Sequence, residues 1–187
     1  MVSPAKPGQV QVYTGNGKGK TTCALGAGLR AAGHGLKVLV ISFMKAKVAW
    51  RGDGDDINYG EFKSVEAIPN YTIIPMGRQS WVDKENPDPI DIKMAQDGLK
   101  MAQDALREHK CDVLILDEIN VAVEWNLIDL KDQLALIKEK PDDVELIMTG
   151  RYARDEVIAA ADLVTEMREV KHYFETEKLE ARKGFEY

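Results

Sequence analysis

Nowhere does this sequence carry an apolar run approaching the roughly 18 residues of a membrane span. Its opening, MVSPAKPGQ, lacks the apolar stretch and cleavage pattern of a secretory leader, so a cytoplasmic location is expected. Cysteine is scarce. The two present, Cys23 and Cys111, stand in no CxxC or metal-ligand spacing, and both read as reduced core thiols. Positive charge is in deficit, with 25 Lys and Arg against 31 Asp and Glu and a net charge of -6. That balance argues against broad attraction to nucleic acid or an anionic membrane, so any anion must be held by a specific site. The three histidines, His34, His109 and His172, occur singly. No nucleophile–histidine–acid arrangement is visible, and His34 and His109 read as surface residues at helix ends.

At 187 residues, with 44% hydrophobic and 30% charged residues, the chain is expected to form one domain, residues 1–187, with a sizeable core. Short apolar runs alternate with turn residues and longer helical stretches, which is an α/β signature. Strands are expected at Val10 to Tyr13, Val38 to Phe43, Val113 to Leu116, Leu146 to Met148 and Leu163 to Thr165. Continuous Val, Ile and Leu runs of this kind suit a mainly parallel sheet with helices on both faces. Helices are expected at Lys20 to Ala32, Ile90 to Glu108, Asp129 to Lys138 and Arg154 to Ala160. In the second of these KMAQD recurs a heptad apart, at Lys93 and Lys100, which puts both copies on similar helix faces. The long stretch 44–87 reads as irregular except for Tyr71 to Ile74, and is a natural place for a second substrate.

Three strand ends carry the chemistry. TGNGKGKTT, Thr14 to Thr22, follows a strand and opens a helix. It departs from the P-loop pattern GxxxxGK[ST] only in having Thr14 for the first glycine. Gly15, Asn16, Gly17, Lys18 and Gly19 would wrap phosphates with backbone N–H groups, Lys20 would neutralise charge, Thr21 would bind magnesium, and Thr22 completes the turn. A nucleoside triphosphate is therefore the expected ligand. LILDE, Leu114 to Glu118, ends an apolar strand in two acids that suit a magnesium ion shared with Thr21. Glu118 is the preferred ligand and Asp117 the next. LIMTGR, Leu146 to Arg151, delivers Arg151 to the same sheet edge, where it would meet phosphate or ribose; a salt bridge to a helix acid is the alternative.

Taken in order, TGNGKGKTT, ISFMK at Ile41, MGRQSW at Met76, LDEIN at Leu116, TGR at Thr149, VTEMREVKHYFE at Val164 and GFEY at Gly184 resemble the P-loop ATP:corrinoid adenosyltransferases over nearly the whole chain. The resemblance implies a RecA-like P-loop fold and a reaction in which the cobalt(I) of a reduced corrinoid attacks the 5′ carbon of ATP and expels triphosphate. It implies Lys20 and Arg151 as catalytic groups, Mg2+ or Mn2+ on Thr21 with Glu118 or Asp117, and ATP held by residues 14–22 and Arg151. Arg51 is a further candidate ribose or phosphate contact. On the corrinoid side it points to the 44–87 region, with Trp81, Met76 and Gly77 as contacts. A homodimer and an electron-donating flavoprotein reductase are also implied. The sequence departs from the family at Gln79, where an aromatic residue is common, and in AKVAWRGDGDD after ISFMK. Without the wider likeness, the P-loop and LILDE would also suit a RecA-like ATPase or a small P-loop kinase.

Overall fold

The computed structural model describes residues 7–50 and 56–187. Six strands form one sheet: β1 (Val10–Thr14), β2 (Val38–Phe43), β5 (Tyr71–Met76), β6 (Val113–Asp117), β7 (Glu145–Thr149) and β8 (Leu163–Glu166). Their order is β5-β2-β6-β7-β1-β8 and every pairing is parallel. Two short strands, β3 (Val48–Trp50) and β4 (Asp56–Asn58), pair antiparallel apart from this sheet. The architecture is an α/β fold of the P-loop kind.

The alternation of side chains along each strand explains why helices cover both faces. Val38, Val40, Ile115 and Ile147 point to one side and meet Ala24 and Ala32 of α1 (Lys20–Gly33), with Val65 of α2 (Gly60–Val65) packed against them. Ile41, Phe43, Leu114, Leu116, Leu146 and Met148 point to the other. There they meet α3 (Pro89–Arg107), α4 (Ile119–Glu124), α5 (Leu130–Glu139) and α6 (Asp155–Ala160). Helix α3 starts where its sequence provides a start: Asp88 caps it, its Oδ1 accepting from the Ile90 N–H at 3.0 Å, and Pro89 occupies the first turn. The repeated KMAQD buries its alanine both times, as Ala95 and Ala102.

Each expected strand and helix is present within two residues of its expected bounds, and the described residues add β3, β4, α2, α4 and a short helix α7 (Tyr173–Glu177). The described residues within 44–87 are more ordered than expected, holding β3, β4, α2 and all of β5. Strand β5 runs two residues beyond Ile74, through Pro75, pairing with β2 over its whole length. Proline cannot donate to a ladder and is tolerated because β5 is an edge strand with β2 on one side only. Helix α4 gives no amphipathic signal because five of its six residues, Ile119 to Val123, are buried. Cys111 is buried, as expected, whereas Cys23 is exposed on α1 and is not a core thiol. His34 and His109 lie exposed just past the ends of α1 and α3. Among the described residues no helix is long and apolar enough to cross a membrane.

Parallel pairing puts the ends of all six strands on one edge, so Thr14, Phe43, Met76, Asp117, Thr149 and Glu166 line up there. Where β2 and β5 leave the sheet their backbones nearly touch: a Cβ on Gly77 would lie 2.3 Å from the Met44 carbonyl carbon and 2.4 Å from the Lys45 nitrogen. Only glycine fits. Gly77→Ala is expected to destabilise the fold by about 1–3 kcal/mol, read as a lowered midpoint in urea unfolding. An unchanged midpoint would show that this crossing is not tight in solution.

Candidate active site

The carboxyl edge of the sheet converges on one buried carboxylate. Asp117 ends β6 and is 1% exposed as a side chain. Its Oδ1 accepts from the Thr21 hydroxyl at 2.8 Å and from the Thr149 hydroxyl at 2.7 Å, while its Oδ2 accepts from Lys45 Nζ at 2.7 Å. The start of α1, the end of β7 and the exit from β2 are thereby tied to β6. Burial opposes ionisation of Asp117, but the Lys45 charge and the hydrogen bonds from Lys45, Thr149 and Thr21 outweigh it and hold the carboxyl below the usual range. Burial likewise opposes the charge on Lys45, and the Asp117 and Glu118 carboxylates overcome it, raising the ammonium well above an ordinary lysine. The ring of Tyr59 lies 5.8 Å from Lys45 Nζ.

Glu118 follows Asp117 with φ 64 and its N–H donates to Thr149 Oγ1 at 3.0 Å. A left-handed non-glycine residue is uncommon, and here it turns the glutamate out of the strand into the P-loop cavity. Burial, reinforced by Asp117, lifts its carboxyl above the usual value against the pull of Lys45, Lys20 and Arg151.

The P-loop itself leaves β1 through Gly15 (φ 91) and enters α1 from Gly19 (φ 112). Lys20 is buried, with Nζ donating to the Gly17 carbonyl at 2.7 Å. Burial pushes its ammonium below an ordinary lysine, with Arg151 and Lys45 adding to the effect and Glu118 and Asp117 opposing it. Thr14 is buried and its hydroxyl accepts from the Ala153 N–H at 3.3 Å. Asn16, Lys18 and Thr22 are exposed. One expected phosphate donor is already engaged: the Gly17 N–H donates to the Met167 carbonyl at 2.6 Å, and a Cβ on Gly17 would lie 2.7 Å from that same oxygen. The segment after β8 therefore backs the loop and fixes its curvature.

Lys20, Thr21, Thr22, Lys45, Tyr59 and Glu118 share a cavity of about 700 Å³, closed on further sides by α2 and by residues 184–187. Arg151 is exposed next to Gly150, near enough for its charge to act on both Lys20 and Glu118. The ion pair to a helix acid is made by its neighbour Arg154, to Glu124 at 3.0 Å. Beyond β5, Arg78 grips Asp91 of α3 through Nε and Nη2 at 2.7 and 2.6 Å. That fork anchors the loop on which Trp81 stands 74% exposed. Met76 is half-buried against the core and Gly77 is spent on the backbone crossing. Arg51 lies outside the described residues. Among the described residues no three His, Cys, Asp or Glu side chains are grouped to hold a metal ion by themselves.

Residues 6–187 match the family described as ATP:corrinoid adenosyltransferase BtuR/CobO/CobP. The chain belongs to this family. It is 34% identical over 180 residues to a corrinoid adenosyltransferase of Pseudomonas aeruginosa, with 96% of this chain and 84% of that one aligned. It is 33% identical over 180 residues to one of Escherichia coli K12, with 96% and 86% covered. With the corrinoid adenosyltransferase CobA of Salmonella typhimurium it shares 32% identity over 182 residues, again with 96% and 86% covered. Corrinoid adenosyltransferase is the activity that family membership assigns, with ATP and a corrinoid as substrates.

Sequence reasoning gave no role to Lys45, Thr149 or Met167, although all three stand in family landmarks. A charged or hydroxylic residue at or just past the end of a mostly buried strand was the available signal for the first two. Lys45→Met is expected to cost about 3–5 kcal/mol of folding stability, because a buried carboxylate loses its cation. In the native pair Asp117 titrates below its unfolded value, so its contribution is present above about pH 4 and lost as pH falls. Lys45 titrates above its unfolded value, so its contribution is complete below about pH 10 and lost as pH rises further. Without Lys45, burial turns the Asp117 shift upward. The variant's deficit in urea unfolding should then be larger at pH 8 than at pH 4, and a pH-independent deficit would count against the pair as its source.

Proposed function

We propose that the chain transfers the 5′-deoxyadenosyl group of ATP to the cobalt(I) of a reduced corrinoid and releases triphosphate. The observation that carries this reading is the single cavity in which Lys20, Thr21 and Glu118 meet, at the sheet edge of a chain that matches its family almost end to end. The cobalt electron pair forms the cobalt–carbon bond, the bond from C5′ to oxygen breaks, and its electron pair leaves on triphosphate. Cobalt is formally oxidised from +1 to +3. No proton has to be removed from the nucleophile, which agrees with a site built from lysines and carboxylates and without a histidine.

The demand on the protein is to stabilise a highly charged leaving group. Lys20 meets it with a partly desolvated ammonium, and Arg151 adds a second positive charge near enough to act on Lys20 and Glu118. The oxygen set suits Mg2+ or Mn2+, hard ions that keep water and phosphate ligands and take few from protein. The Thr21 hydroxyl donates a hydrogen bond to Asp117 and accepts one from Lys45 Nζ at 3.3 Å, which leaves one lone pair of its oxygen for a cation, and Glu118 offers a carboxylate in the same cavity. In this reading Thr21 and Glu118 are the ligands, and Asp117, whose two oxygens are already engaged, orients Thr21. When bound, the ion would supply further neutralisation of the triphosphate. The exposed Trp81 on the anchored 77–86 loop is the apolar surface offered to the corrin. The resemblance further supports a cytoplasmic homodimer served by a flavoprotein reductase that delivers cobalt(I).

The test is anaerobic: protein, MgATP and chemically reduced cobalamin are mixed, and loss of the cob(I) spectrum is followed. A light-sensitive organocobalt product with equimolar triphosphate is expected. Lys20→Ala should lower the rate by about 10²–10³-fold, the scale seen when one charge-directed donor is removed. Orthophosphate released without corrin dependence would replace this reading with an ATPase, and near-normal transfer by Lys20→Ala would remove Lys20 from its role.

A further inference from the structure

Lys45 puts a fixed ammonium among oxygens of the kind a hard divalent cation takes. Nζ donates to Asp117 Oδ2 at 2.7 Å and to Thr21 Oγ1 at 3.3 Å, so it bridges the end of β6 and the P-loop hydroxyl. The Tyr59 ring, 5.8 Å from Nζ, favours a cation in the same place. This is no mobile surface lysine. Its side chain is only 15% exposed. Its backbone is pinned as well: Met44, in a left-handed conformation with φ 58, donates its N–H to the Met76 carbonyl at 3.0 Å, and the Lys45 nitrogen lies in the tight crossing at Gly77.

The charges around it have a definite balance. Lys20 feels Glu118, Arg151, Asp117 and Lys45, and Glu118 feels Lys45, Asp117, Lys20 and Arg151. Three cations thus face two carboxylates. In the same cavity Lys18 is paired with Glu186 at 3.2 Å, and Glu61 acts on Tyr59. A free dication entering this centre would meet positive charge. It would also find few ligands, because Asp117 Oδ2 is held by Lys45 and Oδ1 by the Thr21 and Thr149 hydroxyls. Glu118 and one lone pair of Thr21 fall short of the six or more oxygens that hard divalent ions take. A dication carried by a triphosphate brings phosphate oxygens with it, and the complex is negative overall, so both objections vanish.

We propose that Lys45 is a tethered cation that makes divalent-metal binding conditional on nucleotide, by occupying Asp117 and half of Thr21 so that the chain admits the ion only as its triphosphate complex. The inference rests on the reading of Thr21 and Glu118 as cation ligands in an ATP cavity. Its test is equilibrium dialysis of the full chain against Mn2+, with and without ATP and with no corrinoid present. At about 0.1 mM Mn2+, enough to fill a moderate carboxylate site, the unmodified chain is expected to retain no ion alone and, with ATP, as much Mn2+ as ATP. Lys45→Met frees Asp117 beside Glu118 and Thr21, and should bind Mn2+ without nucleotide at least about tenfold more tightly, since a neighbouring like charge is gone. Lys45→Arg keeps the charge and should still exclude the ion. Mn2+ should also raise the urea midpoint of Lys45→Met, or restore its folding where the variant alone does not fold, and leave the midpoint of the unmodified chain in place. Retention of Mn2+ by the unmodified chain without ATP would overturn the role of Lys45, and so would a Lys45→Met chain that neither gains Mn2+ nor is stabilised by it. ATP not retained by the unmodified chain, or retained without Mn2+, would instead overturn the reading beneath it.

Discussion

The structure depends on keeping one buried carboxylate ionised. Asp117 sits at the end of the most deeply covered strand, where an isolated charge would be intolerable. Lys45 and the hydroxyls of Thr21 and Thr149 make it tolerable, and each arrives from a different element. The condition for a stable Asp117 is therefore also the condition for an assembled site: β2 must deliver Lys45, α1 must present Thr21, and β7 must end on Thr149. A misplaced element leaves the charge uncompensated. Buried ion pairs add little net stability when complete and cost much when broken, so this cluster acts on the register of the edge more than on the depth of the fold.

Ordering by Asp117 separates two groups of charge. Lys45 is consumed in the framework. Lys20 and Glu118 are left facing the cavity with shifts that point the other way, each made less willing to ionise by burial. In the proposed reading a triphosphate with a hard cation would relieve both, since the anion suits the lysine and the cation suits the glutamate. The strained backbone at Glu118 belongs to the same arrangement, because the strand that buries Asp117 must turn sharply to bring the next residue into the cavity.

Around this centre the walls come from segments far apart in the chain. Met167 braces the P-loop from behind, Arg78 ties the loop carrying Trp81 to α3, and Glu186 fastens the last turn to Lys18. Each is an ion pair or hydrogen bond that ties one loop to another loop or to a helix, so the surfaces they shape are held by long-range contacts rather than by the loops themselves.

What the sequence determined by itself was whatever depends on near neighbours. The strand–loop–helix of Thr14 to Thr22, the apolar runs of β2, β6 and β7, and the capped start of α3 are all written in contiguous residues, and the ordered motifs carry the family. The reading failed where burial or pairing overrules local pattern. Pro75 masked the end of β5 because edge position is not a local property. Helix α4 was hidden by being buried nearly all round, and Cys23 looked like core because helical phase alone did not say which face of α1 is covered. Only the tertiary structure decided that Asp117 is enclosed while Glu118 is offered to the cavity, that Lys45 is its counter-ion, and that Gly17 gives its N–H to Met167. Lys45, Asp117 and Thr149 lie tens of residues apart, and parallel pairing of β2, β6 and β7 is what brings their strand ends together, so no window of sequence contains the contact.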